Sequence, residues 1–203
     1  MIRSLLSLLL LLPMLLSCVT QERVQRVELI AHAGGEIDGY VYTNSLEALQ
    51  LAASRGYKFI ELDLLLTSDS VLVAAYSWED FNRMTGNVQW GDSVLSSADF
   101  ARQRIHGRYT PLTAPMIEVF FLENEGLYLV TDKISSPVLL SKAFPRLKER
   151  MVVEAFSYPH YEQLCDEGYY RVLYSCMAPD LSSALVTNLL FDRLFPGKRI
   201  QGL

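Results

Sequence analysis

The segment Phe59-Ile60-Glu61-Leu62-Asp63-Leu64-Leu65-Leu66-Thr67, residues 59–67, decides how the chain is read. It is an almost continuous apolar run, the pattern of a strand covered on both faces of a parallel sheet. Two acids interrupt it at alternate positions. Residues i and i+2 of a strand face the same way, so Glu61 and Asp63 converge while Leu62 packs on the other side. Two carboxylates on one inward face repel each other and lose hydration, which is unfavourable unless a cation or basic groups compensate.

Working outward, strand-like runs and helical patterns alternate. Residues 27–31 read as a first strand that leads into the loop His32-Ala33-Gly34-Gly35. Leu46, Leu49, Ala52 and Ala53 recur at helical spacing, Asn44 and Glu47 read as a capping-box pair with Asn44 as the cap, and Gly56 ends the helix. After the turn Ser68-Asp69-Ser70, residues 71–76 complete an extended strand or hairpin. Helical patches at 78–84 and 97–105 precede a buried helix at 113–124. Strands at 127–131, 151–156 and 170–175 then alternate with helices at 137–150, 159–167 and 180–194.

This order predicts an α/β fold with about five βα units. A complete eight-stranded barrel typically needs roughly 250 residues, so the expectation is an incomplete, TIM-barrel-like (β/α) fold or an open sheet. Its last strand would leave an unpaired edge near residues 172–175, and such edges recruit further copies of the chain.

Half of the residues are apolar and a fifth are charged, the profile of a folded globular protein. The net charge of -5, with no basic run able to follow a phosphate backbone, speaks against nucleic acid as a partner. Residues 1–17 carry Arg3, a Leu-rich stretch interrupted by Pro13, and the ending Leu15-Leu16-Ser17, which fit a secretory signal. With Cys18 that ending resembles the lipobox of bacterial lipoproteins, in which the Cys becomes the lipidated N-terminus. The expectations are a signal at 1–17, a linker at 18–26, a domain at 27–203, and export to the bacterial cell envelope with a membrane anchor at Cys18.

Cys165 and Cys176 could bridge in an oxidising compartment, although both read more simply as small buried hydrophobes. No Cys-x-x-Cys or His-rich spacing suggests zinc. His106 and His160 read as surface residues.

Polar residues fall where strands should end: His32 after the first, Glu61 and Asp63 in the second, Asp132 and Lys133 after the strand at 127–131. In α/β folds the C-terminal strand ends form the ligand site. Three carboxylates there would make an all-oxygen site suited to Mg²⁺ or Ca²⁺. Each residue also has a plainer reading: a strand-end His as a hydrogen-bonded structural residue, an acidic pair on a solvated edge, Asn44 as no more than a helix cap.

The segments Ile30-Ala31-His32-Ala33-Gly34-Gly35, Tyr42-Thr43-Asn44-Ser45-Leu46-Glu47-Ala48, Glu61-Leu62-Asp63 with Leu66-Thr67-Ser68-Asp69, Tyr109-Thr110-Pro111-Leu112 and Leu129-Val130-Thr131-Asp132 resemble, in order and spacing, the glycerophosphodiester phosphodiesterase family. That family shares a TIM-like barrel with the phosphatidylinositol phosphodiesterases. The resemblance implies a divalent cation and hydrolysis of a glycerophosphodiester to glycerol 3-phosphate and an alcohol. It makes His32 one of two acid/base groups, Glu61, Asp63 and Asp132 the metal ligands, and Asn44 and Lys133 substrate-binding residues.

The chain departs from the family at three places. Ala33 stands where many members have Arg, Tyr76-Ser77 where the second catalytic His and an Asp are expected, and Lys133-Ile134 where the Lys comes one position later. The chain also ends where three further βα units would begin. Tyr76 is therefore assigned the second acid/base position, and two readings follow. One is a metal-dependent phosphodiesterase weakened at Tyr76; the other is an inactive envelope lipoprotein that keeps a cation or a phosphorylated ligand.

Overall fold

The computed structural model describes residues 29–175 and the backbone of residues 200–201. The signal, Cys18, the linker, Cys176 and the helix read at 180–194 lie outside the described residues.

The strands are β1 (Ile30–Ala31), β2 (Phe59–Leu62), β3 (Leu64–Leu66), β4 (Leu72–Ala74), β5 (Tyr128–Thr131), β6 (Met151–Ala155), β7 (Val172–Tyr174) and β8 (Ile200–Gln201). The helices are α1 (Leu46–Ser54), α2 (Trp78–Met84), α3 (Ser97–Arg102), α4 (Ala114–Glu123), α5 (Pro137–Ala143) and α6 (Tyr158–Asp166). Six strands form one sheet in the order β1-β2-β5-β6-β7-β8, every pair of them parallel. The architecture is the expected α/β, TIM-barrel-like one, and among the described residues the sheet does not close.

The apolar run at 59–67 explains the centre of the sheet. Ile60 and Leu62 are fully buried and lie in the main core with Leu129, Met151, Val153, the helix residues Leu49, Phe121 and Leu164, and Phe144 just after α5. The run is not one strand, however. It breaks at Asp63, and Leu64–Leu66 turn away to pair antiparallel with Leu72–Ala74. The turn is closed by Thr67, whose Oγ1 accepts the Val71 N–H at 2.9 Å while its own N–H donates to the Val71 carbonyl at the same distance.

A second apolar cluster packs beneath this hairpin, with Val73, Ala75, Phe81, Met84, Phe100 and Ile105 at its centre. Phe81 stacks on Phe100 at 4.3 Å between ring centroids. The segment from α2 to residue 110 is thereby a packed layer beside the C-terminal end of β2.

The sequence expectation of a bare edge at 172–175 needs correction. Val172 and Leu173 pair with Ile200 and Gln201, so that edge is covered by chain from some 28 residues further on. Cys165 is half-buried and packs against the main core, as a small hydrophobe should.

Candidate active site

Strand register brings the acids together. Ala31 lies opposite Ile60 and Leu62 opposite Thr131, so the residues that follow them emerge at one level at the C-terminal ends of three adjacent parallel strands. From β1 comes His32, from β2 come Glu61 and Asp63, and from β5 comes Asp132.

The loop after β1 is built to hold Glu61. Ala33 adopts φ 51°, and its N–H donates to Glu61 Oε2 at 2.6 Å. Gly34, at φ 80°, lies under α1; a Cβ there would sit 3.2 Å from Leu49 Cδ1, so the close approach requires glycine. His32 projects outward, its side chain 62% exposed, with Nε2 3.8 Å from Glu61 Oε2 and its ring edge-on to Tyr42 at 5.0 Å.

Asn44 is not the helix cap. Ser45 takes that role, its Oγ accepting the Ala48 N–H at 3.3 Å, while Glu47 accepts the Thr110 N–H and hydroxyl, each at 2.8 Å. Asn44 is fully buried at φ 47° and grips Asp63 twice: Nδ2 donates to Asp63 Oδ2 and the Asp63 N–H donates to Asn44 Oδ1, both at 3.0 Å. Asn44→Ala strands a buried N–H and a buried carboxylate oxygen and places Ala in a left-handed conformation. We expect a loss of about 3 kcal/mol, read as a lower urea midpoint with unchanged slope.

Lys133 is carried into the cluster by a backbone turn. It adopts φ 61°, and the Ile134 N–H closes on the Asp132 carbonyl at 2.7 Å, a three-residue turn that swings the side chain inward. Its Nζ lies 2.7 Å from Asp63 Oδ1, donates to the Tyr76 carbonyl at 2.8 Å, and sits 3.8 Å from the centre of the Tyr76 ring. Tyr76 follows β4, where the Ala75 N–H donates to the Asp63 carbonyl at 2.9 Å, and its ring meets Tyr42 edge-on at 5.0 Å.

Glu61, Asp63 and Asp132 each offer one oxygen, all within 4.8 Å of one another. Asp132 Oδ1 is buried without a hydrogen-bond partner. Burial, reinforced by the charges of Asp63 and Asp132, pushes the Glu61 carboxyl up to about 8, and burial with Asp63 pushes Asp132 up to about 6. An orphaned oxygen and mutually repelling hard donors fit a divalent cation. Lys133 meets only part of that demand.

These shifts fix the pH dependence of the metal-free chain. A carboxyl raised in the folded state binds its proton more tightly there, so its contribution to stability is complete below its unfolded value and is lost as pH rises through the folded one. His106 and His160, lowered chiefly by burial, act in the opposite sense only up to about pH 6.5. Between pH 6.5 and 8.5 Glu61 therefore dominates, and in chelator the chain should lose roughly 2 kcal/mol, about 5 °C in melting temperature. A flat or rising profile across that window would contradict the buried ionisation.

A sequence profile of the glycerophosphoryl diester phosphodiesterase family matches residues 33–150. The chain belongs to that family. No curated protein matches it. Among solved structures it is similar to a glycerophosphodiester phosphodiesterase from Parabacteroides distasonis, at 18% identity and TM-score 0.57, covering 72% of this chain and 64% of that one. It is also similar to one from Agrobacterium tumefaciens, at 16% and 0.56, covering 72% and 66%. A third is an Oleispira antarctica phosphodiesterase in complex with the product sn-glycerol-3-phosphate, at 18% and 0.57, covering 79% and 71%. These likenesses carry the fold, and the chain spans about two thirds of the length of each.

Within the glycerophosphoryl diester phosphodiesterase fold, the seven residues expected at the site, His32, Asn44, Glu61, Asp63, Tyr76, Asp132 and Lys133, lie in one connected cluster. Two further residues join it. Tyr42 bridges the rings of His32 and Tyr76, and Glu154 of β6 adds a fourth negative charge that acts on Asp132. Glu154 was visible as the lone acid in the apolar strand Met151-Val152-Val153-Glu154-Ala155; nothing local marked Tyr42. His106 and His160, read as surface residues, are instead half-buried.

Proposed function

We propose that the chain is a metal-dependent phosphodiester hydrolase that releases glycerol 3-phosphate and an alcohol from glycerophosphodiesters, and that it does so slowly. The observation that supports this reading is the cluster of Glu61, Asp63 and Asp132 within 4.8 Å, beside the exposed ring of His32. Those three carboxylates would hold Mg²⁺ or Ca²⁺. When bound, a divalent cation offsets the charge of the phosphodiester and stabilises the charge that develops around phosphorus.

The chain's own residues do the rest. The Ala33 N–H fixes Glu61, Asn44 fixes Asp63, and Lys133 presents an ammonium to the phosphate from the Asp63 side. Cleavage requires one group to take a proton from the attacking hydroxyl and another to give one to the departing alkoxide. His32 serves one of these steps, and Tyr76 occupies the position of the other. A second reading, binding without turnover, is favoured by Tyr76 and by the hold of Lys133 on Asp63. Assay of glycerol 3-phosphate release from glycerophosphodiesters, with and without chelator, separates the two.

The proposal extends to place: a signal at 1–17 and lipidation at Cys18 would put the chain on the bacterial cell envelope. It also includes self-association through an open sheet edge, since among the described residues β1 pairs only with β2. Membrane fractionation of a Cys18→Ser variant and light scattering of the purified chain check both.

A further inference from the structure

The Tyr42 and Tyr76 rings that border the carboxylates also line a cavity of about 460 Å³. Its other walls are Tyr40, Met84, His106 and the ion pair of Asp80 with Arg83. That volume is in the range of small-molecule sites, and through Tyr42, which meets His32, and Tyr76, which meets Lys133, the cavity adjoins the site where the part of a diester beyond the phosphate would extend.

The walls describe the occupant. Three phenol rings remain partly exposed, at 38% for Tyr40 and Tyr42 and 44% for Tyr76. Tyr40 is held in place by His106, stacked at 3.9 Å. Every cation around the cavity is already matched: Arg83 by Asp80, Arg108 by Asp38 at 3.2 Å, and Lys133 by Asp63 at 2.7 Å. No carboxylate of the wall is left to receive an ammonium. The ring faces that would attract one are engaged, Tyr76 by Lys133 at 3.8 Å and Tyr40 by Arg108 at 5.7 Å. Phenol hydroxyls and the Arg83 N–H groups not directed at Asp80 offer hydrogen bonds to hydroxyl groups, and the uncovered parts of the rings offer apolar surface to C–H groups.

We propose that this cavity is the subsite for the alcohol half of the diester, and that it takes an uncharged polyhydroxylated alcohol in preference to a cationic head group such as choline or ethanolamine. The proposal rests on the phosphodiesterase reading of the adjoining site. A site that hydrogen-bonds several hydroxyls rejects an analogue lacking them, because its own polar groups are then left unpaired.

Calorimetric binding of three diesters to the Mg²⁺- or Ca²⁺-loaded chain tests it without requiring turnover. The probes are glycerophosphoinositol, glycerophosphocholine, and the methyl ester of glycerol 3-phosphate, which has nothing to place in the cavity. The inositol ester should bind at least tenfold more tightly than either of the others. Tyr40→Ala should remove that advantage while leaving the methyl ester unchanged. Equal affinities, tighter binding of the choline ester, or no binding of any diester would overturn the assignment, and the native comparison decides it even if the variant fails to fold. Selective binding with no glycerol 3-phosphate released would keep the subsite and sink the hydrolase reading; release with equal affinities would do the reverse.

Discussion

Tyr76→His should raise metal-dependent release of glycerol 3-phosphate by about 10²- to 10⁴-fold over the native chain, the contribution of one positioned acid or base. Phenols ordinarily titrate some three units above imidazoles, and a group far from the working pH donates or accepts poorly in a proton-transfer step. The backbone is already in place, because the Ala75 N–H on the Asp63 carbonyl fixes the end of β4 against the metal cluster. The neighbouring Lys133 ammonium would favour the neutral form of an introduced imidazole, the form that accepts a proton.

Adding Ser77→Asp is the less favourable design. Ser77 caps α2 by accepting the Asp80 N–H at 3.1 Å, and its hydroxyl donates to Asp80 Oδ2 at 2.8 Å. An Asp at 77 would keep the cap but lose that donor and face a like charge. His32→Ala should abolish whatever Tyr76→His gains. No gain from Tyr76→His in a chain that still responds to cation would remove residue 76 from the mechanism, as would native turnover unaffected by Tyr76→Phe.

The second large effect is on cation binding. At a hundredfold excess over its dissociation constant, a ligand bound only by the folded state stabilises it by about 2.7 kcal/mol, or roughly 5–10 °C for a chain of this size. Mg²⁺ or Ca²⁺ should produce such a rise in the native protein and none in the Glu61→Gln, Asp132→Asn double variant. The same variant should melt higher than the native chain in chelator at pH 8.5, because a buried and a half-buried carboxylate that repel each other have become neutral. Loss of the cation response with no gain in chelator would mean that the acids are structural rather than ligands.

The convergence of the three carboxylates was legible because its signal is local: two acids at i and i+2 in an apolar strand, and a third acid at the end of another. What escaped the sequence depends on partners distant in the chain. Asn44 sits one residue before a helix, and nothing near it reveals that its amide is committed to Asp63, nineteen positions on. Lys133 stands one position earlier than the family pattern, and spacing alone does not reveal that its left-handed φ and the turn at Ile134 carry its ammonium to Asp63. Tyr42 acquires its place only when the β1 loop and the hairpin bring His32 and Tyr76 to either side of it. The edge at β7 looked bare because its neighbour is two residues of strand far downstream. The alternation of apolar runs sufficed for the fold class; the break at Asp63, where a strand leaves the sheet to make a hairpin, did not show in it.

All the residues assigned as ligands or proton carriers leave β1, β2, β4 or β5 between His32 and Asp132, and the cavity beside them is lined from the same interval. Strands β6 to β8 contribute breadth to the sheet and one remote charge, Glu154. The proposed chemistry is thus modular in the sense used for recombination: a crossover placed in the loop before β6 would exchange the far side of the sheet between relatives while passing the carboxylate cluster and its cavity on together. Variation in the two halves can then be inherited separately, one half tuning what is done and the other how durably the scaffold lasts.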